Sequence, residues 1–205
     1  MSPRLSYPAA LLLSYLVCWT LLAIAPLDRQ DWLLENVLVF IGLPLLVLAR
    51  QRFSNMTVSC LFVFFVLHAI GAHYTYSEVP YDQWWQTLSG FSLNEQLGFT
   101  RNHYDRLVHF SYGLLVTPAA MQILDARAPQ QGGWRLVVPF TFMVSHSAIY
   151  ECIEWAAAEV FAGDLGQAYL GTQGDIWDAQ KDTALALFGT VLAIALVRGH
   201  QRRAR

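Results

Sequence analysis

The chain has 205 residues, of which 55% are apolar and 14% are charged, and its formal net charge is −2. This composition is typical of a membrane protein. The three cysteines, Cys18, Cys60 and Cys152, lie in apolar runs without a CxxC pair, which argues against a disulfide framework and a thiolate metal site. The basic residues are spread over separate loops, so we expect no nucleic-acid partner.

Six segments approach the length of about 20 apolar residues that spans a bilayer as one helix. They are Tyr7 to Pro26, Trp32 to Ala49, Met56 to Ala72, Asp105 to Leu124, Leu136 to Ala157 and Thr183 to Val197. We therefore predict an all-α membrane protein, a bundle of six transmembrane helices in one domain over residues 1–205. The last segment is short, and we expect Asp175 to Asp182 to extend its helix at the start.

Lysine and arginine in short loops set the orientation of such a bundle. One side carries Arg4, Arg50, Arg52, Arg127, Arg135, Arg198, Arg202, Arg203 and Arg205, and the other carries only Arg29, Arg101, Arg106 and Lys181. The richer side is predicted to be cytoplasmic, with both termini inside and two outer loops at about 73–102 and 158–174. The acidic residues agree, since only Asp125 falls on the cytoplasmic side. The first outer loop is rich in aromatic residues, and we expect it to cap the bundle at the headgroups.

Ionisable residues collect at the outer ends of the predicted helices. Asp105 and His109 are four residues apart, and Glu151 and Glu154 are three apart, so each pair lies on one helix face. The stretch GTQGDIWDAQKD, which begins at Gly171, adds aspartates at spacings of three and four. The six carboxylates of the group are those of Asp105, Glu151, Glu154, Asp175, Asp178 and Asp182.

The charges of this group do not balance. Arg101, Arg106 and Lys181 are the nearby cations, and they leave three negative charges over. Each acid at the centre of a bilayer costs about 2.5 to 3.5 kcal/mol, and less near the interface. Shared protons, the basic side chains or a bound cation must therefore neutralise the excess.

Imidazoles beside carboxylates, without thiols, suit a divalent ion such as Zn, Mn or Fe. The candidate ligands are His68, His103, Asp105, His109, Glu151, Asp178 and Asp182. Glu154 and Asp175 are the candidate general bases. The alternative is a polar network that locks helix packing, in which Arg106 and Lys181 pair with the acids and the histidines donate to the backbone. His103 and His109 can face one site only if their helix begins after His103.

Four ordered motifs carry a family resemblance: HAIGAHYTY from His68, RNHYDRLVHFSYG from Arg101, ECIEW from Glu151 and GTQGDIWDAQKD from Gly171. Together they closely resemble the YjdF-like family of bacterial inner-membrane proteins. The resemblance implies a multi-pass protein of the inner membrane and implies no particular activity. A much smaller likeness to the VanZ-like membrane proteins covers Asp105 with His109, then Glu154, then Asp182 with Gly189. It implies an outer-leaflet lipid or envelope precursor as the partner.

Three hypotheses for the function follow. The first is a metal-dependent hydrolase of a lipid-linked phosphate or ester, open to the outer leaflet. The second is a non-catalytic module that binds an envelope lipid or a membrane partner. The third is an ion-coupled transporter, because acids inside a membrane also mark ion paths. The sequence leaves the substrate and the oligomeric state open.

Overall fold

The computed structural model describes residues 5–161 and 163–203, and these are helical with short connections. Arg4 and Arg205, which enter the charge comparison, and Ala162, in the second predicted loop, lie outside the described residues. The helices are α1 (Tyr7–Leu22), α2 (Arg29–Ala49), α3 (Asn55–His73), α4 (Tyr81–Ser89), α5 (Leu93–Leu97), α6 (Tyr104–Arg127), α7 (Trp134–Phe161), α8 (Gly163–Leu170) and α9 (Asp178–Arg203). A short 3₁₀ turn at Arg50–Arg52 follows α2.

Five of these helices are long and apolar enough to cross a membrane, namely α2, α3, α6, α7 and α9. Five of the predicted spans lie within them. The first predicted span is a shorter apolar helix, because α1 has 16 residues and ends at Leu22. At 1.5 Å per residue it is about 24 Å long, against a hydrocarbon thickness of about 30 Å.

The two predicted outer loops contain helices. These helices are too short to form a long apolar run in the sequence. Residues 73–102 hold α4 and α5, each ended by a left-handed glycine, Gly90 or Gly98. Over residues 158–174, α7 runs to Phe161 and α8 fills most of the remainder. The exposed Trp84 and Trp85 lie on α4, an arrangement that suits contact with headgroups.

The start of α9 differs from the prediction. The helix begins at Asp178, and Asp175 lies in the turn before it, after Gly174 with a φ of 83°. A carboxylate oxygen of Asp175 accepts from the backbone N–H of Trp177 at 3.1 Å. Asp178 and Asp182 therefore share a helix face, whereas Asp175 approaches the bundle from the connection.

Helices α6 and α9 form the most extensive contact in the bundle, and two glycines allow it. A Cβ atom on Gly113 would lie 1.9 Å from the carbonyl oxygen of Ala186, and one on Gly189 would lie 2.3 Å from that of Phe110. Beside them, the hydroxyl of Thr117 donates to that of Thr190 at 3.3 Å. Small residues let helix backbones approach closely inside a membrane. This contact fixes the depth of α9 relative to α6.

Replacement of Gly113 by alanine tests this contact. We expect Gly113→Ala to lower the free energy of unfolding by about 1 to 3 kcal/mol, because the methyl group would force the two backbones apart. Thermal unfolding in detergent measures the change. The control is Gly42→Ala on α2, where nothing lies within 4 Å of the added atom and the helix gains propensity. Equal melting temperatures for the two variants would contradict a close contact of α6 with α9 at Gly113.

Candidate functional site

The start of α6, the C-terminal part of α7 and the start of α9 bring ionisable side chains together at one end of the bundle. α6 carries Asp105 and His109 in its first two turns, and α9 carries Asp178 and Asp182. α7 runs in the opposite direction and brings Glu151 and Glu154 to the same end near its C-terminus. The i, i+4 and i, i+3 spacings predicted from the sequence are present on continuous helices.

The outermost part of this group is a set of ion pairs, which we call the ion-pair layer; it consists of Arg101, Arg106, Asp175, Asp178 and Lys181. The Arg101 guanidinium contacts the Asp178 carboxylate at 2.5 Å, and Arg106 pairs with Asp175. Lys181 contacts Asp175 at 2.6 Å. The Lys181 ammonium, the Trp177 N–H and the Arg106 guanidinium hold the pKa of Asp175 well below its usual range. This part of the group behaves as the packing alternative predicted.

Hydrogen bonds extend the ion-pair layer into a clamp between two connections. Arg101 also donates to the carbonyl oxygens of Thr172 at 2.8 Å and Gly171 at 3.3 Å. The Asn102 N–H donates to the side chain of Gln173 at 2.9 Å, and that side chain donates back to the Asn102 carbonyl oxygen at 3.1 Å. The segment before α6 and the turn before α9 are thereby joined above the buried acids.

Beneath the clamp lies a second group, the carboxylate pocket, which consists of Asp105, His109, Glu151, Glu154 and Asp182. His109 is 8% exposed, and both of its ring nitrogens face carboxylates. Nε2 lies 3.3 Å from Asp105, and Nδ1 lies 3.7 Å from Glu151. One potential ligand atom from each of Asp105, His109 and Asp182 lies within 4.8 Å of the others. The same limit holds for His109, Glu151 and Glu154.

A cavity of about 230 Å³ opens beside these side chains. Its wall combines the carboxylates of the pocket and Asp178 with Trp155, Leu170, Thr172 and Ala179. Two of the buried oxygens, Oδ1 of Asp182 and Oε1 of Glu151, have no hydrogen-bond partner among the described residues. Asp182 is only 2% exposed.

The charges of the two groups differ. The ion-pair layer has three cations for two carboxylates. The carboxylate pocket has four carboxylates, and among the described ion pairs its only basic partner is His109. The excess negative charge found in the sequence is therefore concentrated in the buried group.

The structure does not bring all of the predicted ligands into this pocket. His68 is on α3, where Nδ1 pairs with the Tyr76 hydroxyl and Nε2 lies 3.2 Å from the Glu35 carbonyl oxygen. His103 does precede α6, as the rotation argument required, but its ring stacks on Phe99 at 3.9 Å. Burial and the adjacent Arg106 lower the pKa of His103. Both histidines are engaged elsewhere, and we do not retain them as ligands.

Asp175 and Asp178 already have basic partners. Their carboxylates form ion pairs with Arg101, Arg106 and Lys181. Asp175 is absent from the described wall of the cavity, whereas Asp178 forms part of it. The geometry thus separates the predicted bases, since Glu154 lines the cavity and Asp175 does not.

Two acids on α2 were not included in the predicted site. Asp31 and Glu35 are 1% and 5% exposed, and both oxygens of Asp31 and Oε2 of Glu35 lack partners among the described residues. Both acids lie in the first two turns of α2. Their i, i+4 spacing at the start of an apolar helix was the signal in the sequence that could have found them.

These features define a multi-pass α-helical membrane protein with a buried acidic pocket at one end of its bundle. The chain belongs to the family described as "Predicted membrane protein (DUF2238)", which matches residues 7–203. It is 34% identical over 210 residues to "Inner membrane protein YjdF" of Escherichia coli (strain K12), covering 100% of this chain and 95% of that protein. The YjdF-like resemblance and the inner-membrane location are confirmed. No solved structure matches.

Proposed function

We propose that the carboxylate pocket binds a divalent metal ion, Zn, Mn or Fe, and that the protein is a metal-dependent hydrolase of a lipid-linked phosphate or ester. The observation that carries the proposal is the position of His109 between Asp105 and Glu151, beside the unpartnered oxygen of Asp182. Asp105, His109 and Asp182 are the proposed ligands.

The spacing of these atoms supports coordination. Ligand atoms about 2.1 Å from a tetrahedral ion lie about 3.4 Å from one another. The Asp105 oxygen and the His109 nitrogen are 3.3 Å apart, and Asp182 comes within 4.8 Å of both. Coordination requires Asp182 to move closer to the other two ligands. Three protein ligands and one open position are the usual arrangement of a catalytic zinc site.

The negative charge of the carboxylate pocket also supports the binding of a cation. An unpaired buried ion costs several kcal/mol, even after relaxation of its surroundings. The four carboxylates of the pocket have His109 as their basic partner among the described residues. A divalent ion offsets two of these charges, and shared protons offset the remainder.

The other pocket acids then take different roles. Glu151 faces Nδ1 of His109 and orients the imidazole, as carboxylates behind metal-bound histidines commonly do. Glu154 lines the cavity and is the proposed general base. A divalent ion held by Asp105, His109 and Asp182 would supply Lewis-acid chemistry at this site. Glu154 would accept the proton of the water that attacks phosphorus or a carbonyl carbon and return it to the leaving group. The bond to the leaving oxygen breaks, and the leaving group takes up a proton.

The proposed topology has six spans, with α1 as the sixth, and both termini in the cytoplasm. The excess of basic residues at the opposite end of the bundle supports it. The carboxylate pocket then lies near the periplasmic face, where the cavity wall of Trp155 and Leu170 is suited to a lipid-linked substrate from the outer leaflet.

A second candidate is the non-catalytic membrane module. The ion-pair layer favours it, because Arg101 and Arg106 join the start of α6 and the segment before it to the start of α9 and the turn before it. The metal content of the purified protein separates the two candidates.

Elemental analysis of protein purified in detergent without chelator tests the metal proposal. We expect about one divalent ion per chain in the wild type and its loss in His109→Ala and Asp182→Asn, because each change removes a ligand. Glu151→Gln should weaken binding by roughly 10- to 100-fold, as changes behind a ligand do. The control is His146→Ala, which removes an exposed histidine whose Nδ1 lies 3.1 Å from the Phe142 carbonyl oxygen of its own helix.

Circular dichroism of each variant establishes that it is folded. A wild type without metal, or metal retained in folded His109→Ala and Asp182→Asn, would overturn the proposal. A wild type without metal would favour the non-catalytic module.

Substitution of the proposed base separates binding from chemistry. Glu154→Gln should keep its metal and lose about 10²- to 10⁴-fold in the hydrolysis rate, because the amide cannot accept the proton. The probes are a lipid phosphate monoester and a carboxylic ester, each with a fluorogenic leaving group. Glu159→Gln, an exposed acid on the same helix, serves as control. Equal rates for the two variants would exclude Glu154 as the base.

Reporter fusions test the topology. Alkaline phosphatase, which is active only in the periplasm, should be active when fused after Gly90 and inactive at the C-terminus. Green fluorescent protein should give the reverse result. An active phosphatase at the C-terminus would reverse the orientation and place the pocket on the cytoplasmic side.

A further inference from the structure

An apolar groove lies at the opposite end of the bundle from the carboxylate pocket. It is a cavity of about 130 Å³ between α1, the end of α2 and the start of α3. Its wall is apolar except for two groups, the phenol of Tyr15 and the guanidinium of Arg50. The principal aliphatic and aromatic contributors are Leu43, Leu46, Leu61 and Phe65.

The groove follows from how α1 and α2 pack on α3. At the end near the acids the first two helices are joined, because the Trp19 indole donates to Asn36 at 2.6 Å and its ring lies 5.4 Å from that of Trp32. At the other end, the cavity lies between them. The Tyr7 hydroxyl is hydrogen-bonded to Ser59 at 2.7 Å, which ties the start of α1 to α3. The groove is therefore held open by contacts at its borders.

The buried hydroxyl of Tyr15 is independent support for a ligand in the groove. Its side chain is 2% exposed, its ring packs on Phe65 at 5.4 Å, and its hydroxyl has no hydrogen-bond partner among the described residues. A buried hydroxyl without a partner costs about 1 to 3 kcal/mol in proteins. An acceptor inside the groove would remove that cost.

Arg50 supplies the charge. It lies where α2 passes into the 3₁₀ turn, it is exposed, and its guanidinium forms no ion pair or hydrogen bond within the described part of the chain. An exposed arginine at the mouth of an apolar groove matches one kind of molecule, with an anionic head and a hydrocarbon tail. An anionic phospholipid has both, and its ester oxygens are acceptors for a hydroxyl.

We infer that the groove binds an anionic phospholipid, with one acyl chain against Leu43, Leu46 and Phe65, an ester oxygen at the Tyr15 hydroxyl and the phosphate at Arg50. This lipid site is separate from the proposed metal site and does not depend on it.

Native mass spectrometry of the full-length detergent-purified chain tests the inference with phosphatidylglycerol and phosphatidylethanolamine of identical acyl chains. We expect the wild type to retain phosphatidylglycerol preferentially, and Arg50→Ala to reduce that preference about fivefold, as expected for one basic residue near an anionic headgroup. The matched control is Arg52→Ala, an exposed arginine two residues away that does not line the groove. It should leave the preference unchanged.

Two further variants probe the groove itself. Leu43→Trp should fill it and remove retention of both lipids, and Tyr15→Phe should weaken retention while the fold is kept, as circular dichroism would establish. Equal effects of Arg50→Ala and Arg52→Ala would overturn the inference, since the attraction would then be general. Lipid retention that survives Leu43→Trp would also overturn it. So would a wild-type dimer that Leu43→Trp dissociates, because a second copy would then occupy the groove.

Discussion

The close contact of α6 with α9 is the constraint on which the rest of the structure depends. Gly113 and Gly189 place each helix against the backbone of the other, with no side chain between them. That contact lies about two turns from Asp105 and Asp182, and rigid helices carry its geometry to them. Asp105 and His109 meet Asp182 because the two helices are fixed in depth and rotation at their glycines. The position of the pocket is thus set by helix packing. Repulsion among its own carboxylates would instead drive the acids apart.

The arrangement of charge above the pocket has an electrostatic consequence. Arg101, Arg106 and Lys181 are held by Asp175 and Asp178. These basic side chains therefore do little to neutralise the acids beneath. The clamp also covers those acids, which lowers the effective dielectric around them and strengthens both repulsion among carboxylates and attraction to any cation. The ion pairs of the ion-pair layer therefore have two effects. They hold the helix ends together, and they leave the carboxylate pocket strongly anionic.

The spans and the acidic end of the bundle were accessible from the sequence, because long apolar runs and helical spacings are local properties. The short helices α4, α5 and α8 were not predicted, because none of them is long enough to form a membrane-spanning apolar run. The extension of α9 to Asp175 was wrong because the Asp175 carboxylate accepts from the Trp177 backbone N–H and forms a turn in place of a first helical turn. The partners of His68 and His103 could not be predicted, since they depend on helix rotation and on Tyr76 and Phe99 from other segments. The Gly113–Gly189 contact is likewise a pairing of distant residues.

The acids of α2 strengthen the argument for a bound cation. Asp31 and Glu35 are buried, and both oxygens of Asp31 and one oxygen of Glu35 have no hydrogen-bond partner among the described residues. With them, six carboxylates have one imidazole as their basic partner within the described part of the chain. Protons alone could neutralise the set, but a proton shared between two carboxylates removes one charge, whereas a divalent ion removes two and also satisfies several oxygens at once. The proposed ion inside the cavity would also give Asp182 Oδ1 the partner that it lacks among the described residues.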